Sequence, residues 1–199
     1  MYHSPTERLE YDPPVAWNTQ ETRQKLLAAA STHFSRSGFA GGRVEAIARE
    51  AGINKERIYQ YFGNKEGLFA AVLESEVERL LDGIDITGAG ADALGTLAGD
   101  LFDRAAQHPR LVRLLLWESL ELAEPVSAST RGAGCARMVA ALEQAVPRSD
   151  ARGGADTLLS VIGIAFADTC LPHLSRLISG SDSPEDRRSA VVQQARRLA

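Results

Sequence analysis

Cysteine is scarce in this sequence: Cys135 and Cys170 are the two present among 199 residues, too few and too far apart for a disulfide framework or a zinc site. Free thiols of this kind are usually buried, and both are expected to be. Long apolar runs are absent too. Nothing approaches the roughly 18 uncharged apolar residues that a bilayer span requires, and the start, MYHSPTERLEYDPPVAWNTQ, lacks the basic head, apolar centre and cleavage site of a secretory signal. These absences predict a cytoplasmic chain with no membrane partner. No glycine-rich phosphate loop follows a strand, no His and carboxylate stand at metal-ligand spacing, and no nucleophile motif occurs. The sequence therefore predicts no enzyme, no catalytic residue, no metal and no cofactor. Nor does any segment alternate apolar and polar residues with period two, which argues against half-buried strands.

Helical periodicity is what remains, and it predicts an all-α chain of about nine helices without internal repeats. Residues 1–19 hold Pro5, Pro13 and Pro14 without periodicity and are expected to be a disordered tail. Leu26, Leu27, Ala30 and Phe34 recur at helical spacing up to Gly38. Val44, Ile47, Ala48 and Ala51 repeat as one stripe before Gly52, and Asn54 can cap a third helix in which Ile58 and Phe62 share a face. A fourth starts after Asn64. GIDITGAGAD is the clearest boundary along the chain. Beyond it, further stripes run through Leu94 to Ala105, Leu111 to Leu120 and Cys135 to Val146, and then through an apolar stretch from Ala155 to Ile178 that Pro172 must kink or divide. Ser183, Pro184 and Asp186 carry the start signals of a last helix.

Charge is distributed unevenly over this pattern. From Thr22 to Lys65 stand eight Lys and Arg against three Glu, a net +5, whereas from Glu66 onward thirteen Lys and Arg meet nineteen Asp and Glu, a net -6. A basic module on an acidic body is the pattern of a chain that brings only its first part to phosphate. Two short helices joined by a tight turn at Gly52 to Asn54 have the arrangement of a DNA-reading helix-turn-helix. With Ile58 placed at zero on a helical wheel, Phe62 falls beside it at about 40°, while Glu56, Gln60 and Arg57 fall at about 160°, 200° and 260°. That outer face would meet the major groove. Gln60 can pair with adenine and Arg57 with guanine, Tyr59 and Tyr61 flank the face, and Arg43, Lys55 and Lys65 would contact phosphates. Packing alone could account for Tyr59, and simple solvation for Lys55.

The stretch AIAREAGINKERIYQYFGNKEGLF resembles the N-terminal signature of TetR-family transcription regulators, with its AxxAG, its Tyr-x-Tyr-Phe helix and its Lys-Glu-x-Leu. The resemblance implies a homodimer, usually a repressor, with a DNA-binding domain over 20–66 and a helical effector-binding and dimerisation domain over 67–199. It places Arg43, Asn54, Lys55, Tyr59, Tyr61 and Lys65 at positions that commonly touch DNA, and it implies a double-stranded palindromic operator released by a small-molecule effector. An activator, or a helical interaction module with a vestigial head, are the alternatives. Two features depart from the pattern. Glu56 and Arg57 replace small residues: Glu56 can accept from cytosine, repel phosphate, or simply suit the helix dipole. Gly41 and Gly42 replace the usual hydroxyl cap of the second helix.

Phe102, Leu116, Trp117, Leu120, Met138, Phe166 and Cys170 fall on helices that surround a pocket in that family, which suggests an apolar or aromatic effector. Glu118, Glu121, Asp168 and His173 could orient a polar group of it. Leu159, Ile162, Gly163 and Phe166, joined by Val191, Val192 and Ala195 of the last helix, are expected to form a dimer interface. Effector binding is expected to shift the helix from Leu94 to Gln107 against the fourth helix and so move the DNA-reading heads.

Overall fold

The computed structural model describes residues 19–147, 153–180 and 183–199; the expectation for the N-terminal tail falls outside them except at Thr19, which begins the first helix. Among the described residues there are ten helices and no strand: α1 Thr19–Gly41, α2 Val44–Ala51, α3 Lys55–Phe62, α4 Lys65–Leu81, α5 Gly90–Gln107, α6 Pro109–Glu121, α7 Ala128–Ala145, α8 Gly153–Cys170, α9 Pro172–Ser179 and α10 Pro184–Arg196. The fold class is all-α. The tenth helix comes from Pro172, which divides the long apolar stretch rather than kinking it. Leu171 leaves the helical region (φ -126°, ψ 56°), Pro172 starts the new first turn, and α9 leaves α8 at 91°. Proline lacks the N–H that continuation would need, and its ring clashes with the preceding turn. No single helix among the described residues is long and apolar enough to cross a membrane.

Helices α1 to α4 close around one apolar cluster, in which Leu26, Ala30, Phe34, Ile47, Ile58, Leu68 and Phe69 are buried. Phe34 meets Phe69 edge-on at 5.1 Å between ring centroids, and Phe39 meets the same ring at 5.4 Å. Edge-to-face pairs add about 0.5–1.5 kcal/mol each to what burial alone supplies. At Gly38 the backbone adopts φ 74° and ψ -178°; that break turns the last residues of α1 so that Phe39 reaches Phe69. One polar contact crosses this core: Ser31 Oγ donates to the buried carboxylate of Glu76 at 2.7 Å, tying α1 to α4.

The rest of the chain is organised around α5, which packs on α8 and α10. Close approach to α10 depends on Gly95 and Gly99. A Cβ on Gly95 would lie 2.8 Å from Arg196, and one on Gly99 would lie 2.9 Å from Arg188 and 3.2 Å from Val192. Arg188 bonds Asp103 at 2.8 Å and Arg196 bonds Asp92 at 3.1 Å, so two ion pairs bracket the contact. These contacts involve the last-helix part of the expected dimer surface. Val191 and Ala195 are fully buried against their own chain and Val192 rests on Gly99, so the apolar stripe of the last helix is spent on α5. Helix α7 lies at the periphery with Leu142 as its one buried residue. Cys135 on it is exposed, contrary to expectation, while Cys170 is half-buried and desolvation pushes its thiol up from the ordinary range.

Candidate nucleic-acid interface

Helices α2 and α3 have eight residues each, too few to persist alone in water. Their geometry is imposed by caps and by packing. Gly52 takes the left-handed conformation (φ 66°, ψ 29°), its N–H returning to the carbonyls of Ala48 and Arg49, and so turns the chain after α2. Asn54 then caps α3, its side-chain oxygen accepting from Glu56 N at 3.3 Å. Ile58 is completely buried, and this sets the rotation of α3. Glu56, Arg57 and Gln60 are exposed, and Tyr59 is 42% exposed. Tyr61 and Phe62 are half-buried against the core, with Arg23 of α1 stacked 5.7 Å from the Phe62 ring.

Two cations at this face, Lys55 and Lys65, are already engaged. Lys55 Nζ lies 2.5 Å from Glu45 Oε1 of α2 and 5.7 Å from the Tyr59 ring. The hydrogen bond and charge of Lys55 hold the Glu45 carboxyl below its usual range, and the same bond raises Lys55. Lys65 Nζ donates to Ala40 O at 3.0 Å and sits 4.8 Å over the Phe39 ring. Lys65 therefore also fastens the end of α1 to the start of α4. Arg43 is the exposed N-cap of α2 and makes no side-chain cap. The glycine before it follows from packing: a Cβ on Gly42 would stand 2.3 Å from the Phe34 ring.

A cleft of about 1150 Å³ opens between α1, α4 and the helices α5 to α8. Leu27, Val77, Leu101, Leu115, Met138 and Phe166 give it apolar walls, and Arg23, Arg137 and Glu78 add charge. Of the expected pocket residues, Met138 and Phe166 line this cleft. The other five do not. Leu120 is 76% exposed and Leu116 also faces outward; Phe102 and Cys170 pack against the core; and Trp117 turns towards α1, its indole N–H directed to Ser35 O at 3.4 Å. Ile162, expected at the dimer interface, lines the cleft as well. The polar groups expected to orient an effector are committed elsewhere. Glu118 accepts from Arg131 at 2.6 Å and from Val126 N at 2.9 Å. Asp168 binds Arg187 and Ser175, and His173 lies 2.8 Å from Arg176.

Known proteins share both parts of this architecture. Residues 26–72 match the family model for bacterial regulatory proteins, tetR family, and residues 93–197 match that for the tetracyclin repressor-like C-terminal domain. The HTH-type transcriptional repressor SCO4008 of Streptomyces coelicolor is 35% identical over 191 residues, which span 92% of this chain and 98% of that protein. The chain belongs to the TetR family. Among curated relatives, the HTH-type transcriptional repressor NicS of Pseudomonas putida is 38% identical over 53% of this chain and 51% of its own length. Among solved structures, SCO4942 from Streptomyces coelicolor superposes with a TM-score of 0.73 at 35% identity, covering 89% of this chain and 97% of that one. FadR from Bacillus subtilis, solved in complex with stearoyl-CoA, has a TM-score of 0.66 at 15% identity, covering 88% and 98%, and shares the fold.

In this TetR-family regulator the head is held to the body by a contact that sequence reasoning did not find. Arg113, Trp117 and Glu121 stand one turn apart on α6 and face the end of α1. Arg113 Nε donates to Ser35 O at 2.8 Å, and Glu121 Oε2 accepts from Ala40 N at 2.8 Å. Ala40 thus carries Glu121 on its N–H and Lys65 on its carbonyl. The partners are 81 and 25 residues away along the chain, so no local pattern marks them; the spacing of 113, 117 and 121 on one helical face is the only trace. Replacing Glu121 with Ala should speed hydrogen exchange at the Ala40 amide and leave amides of α5 unchanged. Equal exchange at Ala40 in both proteins would show that the contact does not hold the end of α1.

Proposed function

We propose that this regulator is a homodimeric repressor that reads a two-fold symmetric operator with α3 and is released by an apolar or aromatic small molecule taken into the cleft. The observation that carries the reading is the rotation of α3. With Ile58 buried, Arg57 and Gln60 are exposed on the outer face and can reach base edges, Arg57 to guanine and Gln60 to adenine. Arg43, Lys55, Tyr59, Tyr61 and Lys65 surround them at positions suited to phosphate, and Asn54 sets the start of the helix. Glu56 shares the outer face, where it discriminates against some base pairs as well as suiting the helix dipole. The repressor named SCO4008 matches over nearly its whole length, which favours repression over activation.

The dimer surface is reassigned from α10 to α9. Leu159 and Gly163 on α8 are exposed, and α9 has no buried residue at all. Leu159 is 71%, Leu177 83% and Ile178 76% exposed, with Leu171 and Leu174 beside them. Large apolar side chains left exposed on two successive helices suit an interaction surface, and pairing of α8 and α9 with a second copy would set two α3 helices about one DNA turn apart or somewhat more.

The route of the switch is likewise reassigned, from α5 to α6. Helix α6 packs on both α1 and α4, and Leu111 and Leu115 on it line the cleft. An occupant with different affinity for two positions of α6 would bias the placement of α1 and of Lys65 through Glu121 and Ala40.

Two outcomes check these readings. Gln60→Ala and Arg57→Ala should each cost about 1–3 kcal/mol at particular base pairs, whereas Arg43→Ala should weaken all sequences alike; equal losses on every sequence for all three would refute the base-reading assignment. Leu177→Glu should convert dimer to monomer in sedimentation. A dimer of undiminished stability would place the interface elsewhere.

A further inference from the structure

Lys55 is the first residue of α3, and in the free protein its ammonium rests on a carboxylate of α2. The Glu45 side chain is 66% exposed and that of Lys55 39%, so water reaches both. Exposed pairs of this kind contribute little to folding and exchange readily. Glu45 needs no partner to stay in place, because an acid in the first turn of α2 is favoured by the helix dipole. Three groups surround the pair: Arg43 on one side, the Tyr59 ring beneath Lys55, and Asn54 directly before it. No other carboxylate bonds Lys55 among the described residues.

We propose that Glu45 is a resident substitute for DNA phosphate: it holds Lys55 in the free protein and sets the strength and salt dependence with which the head engages the DNA backbone. The inference rests on the reading that Lys55 contacts phosphate. When Lys55 turns to a phosphate, the pair with Glu45 is exchanged for a pair with DNA. The carboxylate left behind then stands as an unpaired charge beside the DNA and attracts a cation from solution. A lysine freed from water and counterions alone would release about one ion per phosphate contact. Exchange of one anion for another cancels much of that release, so the salt slope is shallower than the count of Lys and Arg at the face suggests. Glu45 stays ionised throughout the neutral range with or without Lys55, because an exposed glutamate titrates well below it.

The test measures binding of the full chain to a labelled duplex of its own upstream DNA, and to an unrelated duplex, over a salt series. Glu45→Gln should bind both roughly two- to fivefold tighter at low salt, with a salt slope steeper by about one ion. Lys55→Met should bind more weakly with a shallower slope, and adding Glu45→Gln to it should change neither quantity. Both side chains are on the surface, so thermal melts should be nearly superimposable, and Glu45→Ala should repeat the Glu45→Gln result. Unchanged or weaker binding by Glu45→Gln, with Lys55→Met still impaired, overturns the inference and leaves the phosphate contact standing. A gain that persists in the Lys55→Met background also overturns it, because Glu45 then acts by plain repulsion. Undiminished binding by Lys55→Met removes the phosphate contact itself.

Discussion

An eight-residue helix cannot hold its own shape, and the DNA-facing surface of this protein is built on one. What holds α3 is the burial of Ile58 in the head core, where α3 packs on α2 and α4. That single apolar anchor fixes both the position of the helix and its rotation, and the rotation decides which side chains face outward. A slip by one residue would turn the helix by about 100°, bringing Arg57 or Tyr59 inward and removing Gln60 from the outer face. The caps at Gly52 and Asn54 set where α3 begins, and the aromatic contact of Phe34 with Phe69 keeps the surrounding helices at the spacing Ile58 needs.

The same helices connect the head to the body. Helix α1 is the shared member: its middle fills the head core, while its end, broken at Gly38, is gripped by Arg113, Trp117 and Glu121 of α6. Helix α6 also contributes to the wall of the cleft. Apolar contacts there and polar contacts at Ser35 and Ala40 lie on one rigid element, which is the basis of the proposed coupling between the cleft and α3. Lys65 adds the last step, because its ammonium is bonded to the carbonyl of the peptide unit after Ala40's own N–H is taken by Glu121.

The head was legible in the sequence because its signals are local. The period of Val44, Ile47, Ala48 and Ala51, the turn at Gly52 and the cap at Asn54 all act within a few residues, and the wheel placed Ile58 inside and Gln60 outside from spacing alone. The intrachain packing of α10 was not legible, for the opposite reason. An apolar stripe such as Val191, Val192 and Ala195 looks the same whether it faces another chain or its own α5. The distinguishing marks were distant: Gly95 and Gly99 leave room for α10, and Asp92 and Asp103 match Arg196 and Arg188. Pro172 was recognised as a break, yet the 91° turn it produces is what exposes Leu177 and Ile178. Which apolar residues line the cleft was hidden for a similar reason, since Leu116 and Leu120 lie on the outer side of the helix whose inner side lines it.

The central claim is that an α3 oriented by Ile58 reads base sequence, twice, in a two-fold assembly. Selection of bound duplexes from a random pool by the purified chain measures this directly. An inverted repeat should be enriched, with half-sites about one turn or somewhat more apart, each holding guanine and adenine steps for Arg57 and Gln60. Salt-sensitive binding that enriches no sequence would contradict it, leaving the basic head as a backbone-binding surface that does not read bases.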